Sequence, residues 1–306
     1  KTSNKPFCLF VASDYPHGPY PDETKYSIED VKLQPYENKI PNYKPGYYQN
    51  IDNDNNQLSK IIDLSDRYDY KKNTMFIYAS DHGISGKYGL YQRGLKIPFI
   101  IRWPGVLKEN TNSNSLLTIV DVLPTLVEIA GGKPKNFDGN SFLPILKNEK
   151  KEVNDYIFGV STRQNVRHGK VFPSRMISNG NFKLIVNFNS VEVFKKNLGK
   201  NENINKFIEI GAKAFPNVPY EELYDLKNDP HEKINLAKNS DYKELKRILT
   251  LKLKEWMINQ HDFLLNNSMP LLKPTLHPLD KISKWNDIEK NLVNTIKDYN
   301  YLKAHY

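Results

Sequence analysis

Asp81 and His82 stand side by side where an apolar, β-prone run, TMFIYAS (residues 74–80), comes to an end, and Lys87 follows shortly after. His17 occupies a similar place, in the turn after PFCLFVAS (residues 6–13). A carboxylate oxygen and a neutral imidazole can both bind a divalent cation. A cation site with a lysine and a second histidine nearby makes a pocket for a tetrahedral oxyanion, phosphate or sulfate. The lysine supplies a compact positive charge, and the histidine a donor or general acid for the leaving oxygen. Each residue also has a plainer reading: a strand-end Asp capping the next segment beside a solvated His, a turn histidine in YPHGPY, a solvent-facing lysine. Gly83 is expected to permit a sharp bend that brings Asp81 and His82 together.

These residues need strands to carry them. Ligands of open α/β sheets bind outside the carboxyl ends of the strands, where His17 and Asp81-His82 are expected. KIPFIIRWPG holds a further strand closed by Pro104-Gly105. Residues 47–64 read as a helix through Ile51, Leu58, Ile61, Ile62 and Leu64, and SLLTIVDVLPTLVEIAGG as a helix stopped by Gly131-Gly132. Alternating strands and helices predict a mainly parallel sheet flanked by helices. After about residue 150 the pattern changes. SRMISNGNFKLIVNF reads as a hairpin around Asn179-Gly180 and YEELYDL as a short strand. Residues 241–259 read as a helix with Leu245, Ile248, Leu249, Leu253 and Trp256 on one face. The expected architecture is an α/β catalytic domain over residues 1–150 and a smaller C-terminal α+β subdomain, an antiparallel sheet plus a helix, over residues 151–306.

Composition narrows the class. Of the 306 residues, 39% are hydrophobic and 12% aromatic, enough for a packed core and unlike a disordered chain. No apolar run approaches the roughly 18 residues of a membrane span. The net charge of +9 comes mostly from scattered lysines, which suits a solvated surface or attraction to a polyanion, a sulfated glycan as well as a nucleic acid. No arginine-rich arm, zinc spacing or RNA-binding signature accompanies it, so no nucleic-acid partner is expected. Cys8 stands alone within PFCLFVA, where a small buried thiol is expected. The start of the sequence, without Met or signal peptide and entering a strand at once, reads as the interior of a longer protein.

Taken in order, the segments resemble a family. KPFCLFVASDYPHGPY, NTMFIYASDHG, KYGLYQRGLKIPFIIRWPG, VDVLPTLVEIAGGKPKNFDGNSFLPIL and ELYDLKNDPHEKINLA follow the order and spacing of the C-terminal two-thirds of a type I sulfatase, a formylglycine-dependent member of the alkaline-phosphatase superfamily. The resemblance implies that Asp81 and His82 ligate a divalent metal, usually calcium in this family. It implies that Lys87 binds the sulfate and that His17 contacts the ester oxygen. STRQNVRHGKVFPSRMISNGNFKLIVNF with WMINQHDF resembles the sulfamidase (heparan N-sulfatase) branch, which would place Arg163, Arg167 and His168 in a loop meeting the acidic groups of a glycan. The implied substrate is a sulfated carbohydrate, and the implied compartment periplasmic, secreted or lysosomal. Nothing indicates an oligomeric state.

The family's nucleophile, formylglycine made within a Cys/Ser-x-Pro/Ala-x-Arg motif, lies upstream of the matched segments, as does a paired Asp-Asp that completes the metal site. Neither occurs in this sequence. VFPSR mimics the end of the motif, but Val171 stands where Cys or Ser is required. The chain alone is therefore expected to be inactive. Two alternatives stay open: a phosphatase or phosphodiesterase of the same superfamily, and a non-catalytic glycan-binding protein.

Overall fold

The computed structural model describes residues 5–31, 44–83, 87, 89–161, 172–188, 190, 192, 217–266, 268–270 and 301–303. The chain divides into two compact units, one of Lys1–Phe76 with Ile101–Lys108, the other of Ile77–Ile100 with Glu109–Tyr306.

The first unit is organised by α1 (Lys44–Arg67), which starts earlier than the hydrophobic spacing predicts. Pro45 sits in its first turn, where a missing N–H costs nothing. Within the run of Asn and Asp in its middle, Asn50 and Asp52 use their side chains for tertiary contacts rather than turning back on their own backbone. Gly46, Asn50 and Asp54, four residues apart, form its buried stripe. Asn50 Nδ2 donates to the carbonyls of His17 (2.9 Å) and Pro19 (3.3 Å). Asp52 receives the Tyr26 hydroxyl at 2.8 Å and pairs with Lys25 at 2.6 Å. Residues 6–13 do not form the expected buried strand. They have no regular secondary structure, Phe7 and Phe10 are 63% and 82% exposed, and Cys8 is exposed as well. An apolar run becomes a buried strand only when another strand takes its backbone bonds and another layer covers its side chains, and neither is present among the described residues.

Two strands, β1 (Phe76–Ala79) and β2 (Phe99–Arg102), pair as a two-stranded sheet, with Ile77–Ala79, Phe99 and Ile100 counted with the second unit and Phe76, Ile101 and Arg102 with the first. A short α2 (Gln92–Leu95) lies between them in sequence. The next helix is shorter than predicted: a 3-10 turn at Ile119–Asp121 leads into α3 (Val122–Ile129). A capping box between Thr118 and Asp121 sets this start. Asp121, fully buried, also accepts from Asn140 N and Asn154 Nδ2, each at 2.8 Å. The α4 turn follows at Leu143–Leu146.

The centre of the second unit is an antiparallel sheet of β3 (Ile157–Ser161), β4 (Ser174–Ser178), β5 (Phe182–Asn187) and β6 (Glu221–Asp225), in that order, the last three strands expected from the sequence and β3 not. The predicted turn joins β4 to β5, with Gly180 at a φ of +86° that a side chain would disfavour. Register decides the two faces. Ile177, Leu184 and Leu223 are opposite one another across β4, β5 and β6. They pack on Leu249, Leu253 and Met257 of α5 (Lys243–Asn259). Phe158 of β3 stacks on Trp256 with ring centroids 4.8 Å apart. Ile248, expected on this face, is 39% exposed, and Met257 serves in its place. Arg175, on the same face, forms a buried bidentate pair with Asp262 (2.5 and 3.1 Å) just beyond α5. At the end of the chain, β7 (Ser268–Pro270) pairs antiparallel with β8 (Tyr301–Lys303).

Candidate functional site

The end of β1 runs into a loop closed at its base. Ser80 N donates to Pro98 O at 3.4 Å, and Gly83 N to Gly94 O at 2.8 Å. The returning arm is held by the α2 turn, in which Gly94 N and Leu95 N both bond Tyr91 O. Gly83 serves a different purpose from the one expected. Its φ is not positive; instead a Cβ there would lie 2.9 Å from the Arg93 carbonyl carbon and 3.0 Å from Lys96 O. The glycine permits close approach of backbone, not an unusual bend. Lys87 stands in a turn within this loop, its side chain exposed.

Asp81 and His82 immediately precede the closure. Asp81 Oδ1 accepts from His82 N at 2.9 Å, and Ser80 Oγ donates to His82 O at 2.8 Å. His82 Nδ1 lies 2.7 Å from Gly83 O. A carbonyl can only accept, so Nδ1 carries the proton, and the neutral ring then has its lone pair on Nε2. That nitrogen is 3.7 Å from Asp81 Oδ2, whose side chain is 79% exposed. A cation with ligand bonds of roughly 2.0–2.6 Å could touch both atoms. An imidazole anchored through its other nitrogen to a carbonyl is the usual state of a metal-binding histidine. The donor pair therefore fits a divalent cation. It is a partial site, because no group of three or more metal-binding side chains occurs among the described residues.

His17 belongs to the first unit. Its Nδ1 lies 2.7 Å from Gly18 O, and Asn50 of α1 holds its carbonyl. The same reasoning gives it a free-acceptor Nε2 when neutral. Arg163, Arg167 and His168 lie outside the described residues. Arg175 of VFPSR is buried within β4 and paired with Asp262 of WMINQHDF, a packing role for both motifs.

The sheet face opposite α5 carries a polar network that motif reading missed. Lys183 Nζ donates to Leu90 O (3.1 Å), Gln92 Oε1 (3.2 Å) and Glu232 Oε1 (2.7 Å). The other oxygen of Glu232 accepts from Gln92 N at 2.6 Å. Glu222 accepts from the hydroxyls of Tyr91 (2.9 Å) and Tyr224 (2.5 Å) and from Asn187 Nδ2 (2.7 Å). Burial lowers the Lys183 ammonium below the ordinary lysine range, against the pull of Glu232. Burial, with Glu222 alongside, raises the Tyr224 phenol. One signal for this face was in the sequence: in FKLIVN and EELYD, Lys183, Asn187, Glu222 and Tyr224 alternate with the residues packed on α5.

Comparison with known proteins follows the same segments. The sulfatase family model matches residues 1–132, and that of the N-sulphoglucosamine sulphohydrolase C-terminal domain matches residues 80–205. An ulvan-active sulfatase of Formosa agariphila is 49% identical over 283 residues, covering 90% of this chain and 57% of the relative. The chain thus spans little more than half of that relative's length. Among solved structures, an enzyme in complex with its substrate D-glucosamine-2-N,6-O-disulfate shares the fold with a TM-score of 0.58 at 22% identity, over 72% of this chain and 41% of that one. A phosphonate monoester hydrolase of Agrobacterium radiobacter does so with a TM-score of 0.52 at 22% identity, over 77% and 45%.

Proposed function

The chain belongs to the type I sulfatase family and carries the C-terminal part of its fold, and from that premise we propose that it serves hydrolysis of a sulfate ester or sulfamate on a sulfated carbohydrate, in a protein of the relatives' full length. The observation that carries the reading is the loop itself. A cation-binding pair, Asp81 and His82, stands just before the Gly83–Gly94 closure, and Lys87 follows in the segment that this bond closes.

Within this reading, Asp81 Oδ2 and His82 Nε2 hold a divalent cation, calcium by family resemblance. When bound, the cation supplies positive charge beside the sulfate, and formylglycine from the portion not spanned here supplies the attacking oxygen. Lys87 neutralises charge that builds on the sulfate oxygens and the leaving group. His17, once protonated, presents Nε2–H to the leaving oxygen while Gly18 O keeps its ring in place. Arg163, Arg167 and His168 bind acidic groups of the glycan. The relative's activity on ulvan supports a sulfated polysaccharide as substrate. We also place the strand ends of residues 1–150 in a mainly parallel sheet, with residues 151–306 as the smaller subdomain.

The test is release of inorganic sulfate from ulvan oligosaccharides and from an aryl sulfate by the full-length protein, with an aryl phosphate and a phosphonate monoester as competitors. Preference for the phosphorus substrates would overturn the reading in favour of phosphoryl transfer. The 306-residue chain alone is expected to release no sulfate.

A further inference from the structure

The polar face of the β3–β6 sheet makes its bonds to three consecutive residues, Leu90, Tyr91 and Gln92. Lys183 takes the main-chain carbonyl of Leu90, Glu232 the main-chain amide of Gln92, and Glu222 the hydroxyl of Tyr91. Lys183 and Glu232 are 1% and 3% exposed. Burying such a pair is costly compared with apolar residues of similar volume. The opposite face of the sheet already supplies an apolar core with α5. The polar-bonded face has a smaller apolar cluster of its own, Leu90 with Met176, Ile185 and Tyr224, and its polar bonds add a fixed place for the backbone at residues 90–92.

That backbone is the outgoing arm of the loop that holds Lys87. Its incoming arm is fixed at Gly83 by the bond to Gly94. Only residues 84–89 separate the two anchors. A lysine has long rotamer freedom, and a charge helps a transition state only if it is already in place. We infer that Lys183, Glu232 and Glu222 are positioning residues for Lys87, holding the loop from the C-terminal sheet so that the ammonium meets the sulfate group of the substrate. The inference rests on the proposed role of Lys87 and extends it: the C-terminal sheet helps determine the rate of the chemical step as well as packing the unit.

The experiment is a double-mutant cycle in the full-length protein with an aryl sulfate. Lys183→Met is expected to lower kcat at least about 10-fold when Lys87 is present and less than about 3-fold in a Lys87→Ala background. Glu232→Gln repeats the cycle with a milder change and carries it if Lys183→Met does not fold. Lys246→Met is the control: it breaks the partly exposed Lys246–Glu221 pair on the other face of the same sheet and is expected to act equally in both backgrounds. Hydrogen exchange of peptides covering residues 83–94 is expected to quicken in Lys183→Met and Glu232→Gln and not in Lys246→Met. Equal losses of kcat in both backgrounds for Lys183→Met and Glu232→Gln overturn the inference while leaving the role of Lys87 intact. Unchanged turnover in Lys87→Ala overturns both.

Discussion

The amide of Gly83 donates to the carbonyl of Gly94 at 2.8 Å, and the backbone beyond it comes so near that no side chain fits at Gly83. This contact joins the Asp81-His82 pair to the loop that carries Lys87. Gly83→Ala is therefore expected to open the loop or shift the chain. Overpacking of this kind costs about 1–3 kcal/mol. A lowered Tm with faster hydrogen exchange over residues 83–94 is the expected result. An alanine variant with unchanged Tm and exchange would show that the backbone yields without cost.

Lys87→Ala in the full-length protein is expected to lower turnover of a sulfated substrate at least about 100-fold, the scale of losing one preorganised charge-stabilising group, roughly 3 kcal/mol. Its Tm is expected to stay the same, because the side chain is exposed and buries little. Lys87→Arg is expected to recover part of the rate, since a planar guanidinium does not replace a compact ammonium. Wild-type turnover in Lys87→Ala would make Lys87 an ordinary surface lysine.

Asp81→Asn and His82→Ala each remove one of two donors 3.7 Å apart. Titration calorimetry of the full-length protein is expected to give divalent-cation affinity reduced at least about 10-fold in either variant, since even groups that only orient a ligand are worth that much. Affinity equal to wild type in both would place the metal elsewhere.

Arg175 and Asp262 pair at 2.5 Å with side chains 3% and 5% exposed. Removing one partner of such a pair costs about 3–5 kcal/mol, whereas replacing both with apolar groups is often neutral. Arg175→Met is expected to be strongly destabilised, and Arg175→Met with Asp262→Leu to recover most of the loss in urea unfolding. A double variant as unstable as the single one would show that other contacts of Asp262, such as its bond from Leu264 N, dominate.

The raised Tyr224 phenol makes stability depend on alkaline pH. Above about pH 10 the unfolded chain loses its tyrosine proton while the folded one keeps it. The folded state then binds more protons, so stability falls as pH rises, by up to about 1.4 kcal/mol per pH unit for this group. The fall is expected to be shallower in Tyr224→Phe than in wild type between pH 10 and 11.5, measured by denaturant unfolding. Parallel curves would remove Tyr224 as the cause.

Local signals in the sequence determined three of the four strands of the C-terminal sheet, its turn at Asn179-Gly180, the helix packed on it and the chemical types gathered at Asp81, His82 and Lys87, but not β3. Alternation and helical spacing act between near neighbours, so they are readable without the fold. What the tertiary structure decided depended on partners distant in sequence. Residues 6–13 have the composition of a buried strand and lie exposed, because burial is a property of what covers a strand. Gly83 is required by the approach of Arg93 and Lys96, not by its own φ. Lys183 and Glu232 meet across 49 residues and grip a segment more than 90 residues from Lys183. A buried lysine looks like any other of the chain's many lysines until register and burial show which face it is on, and those arise only when the strands are paired.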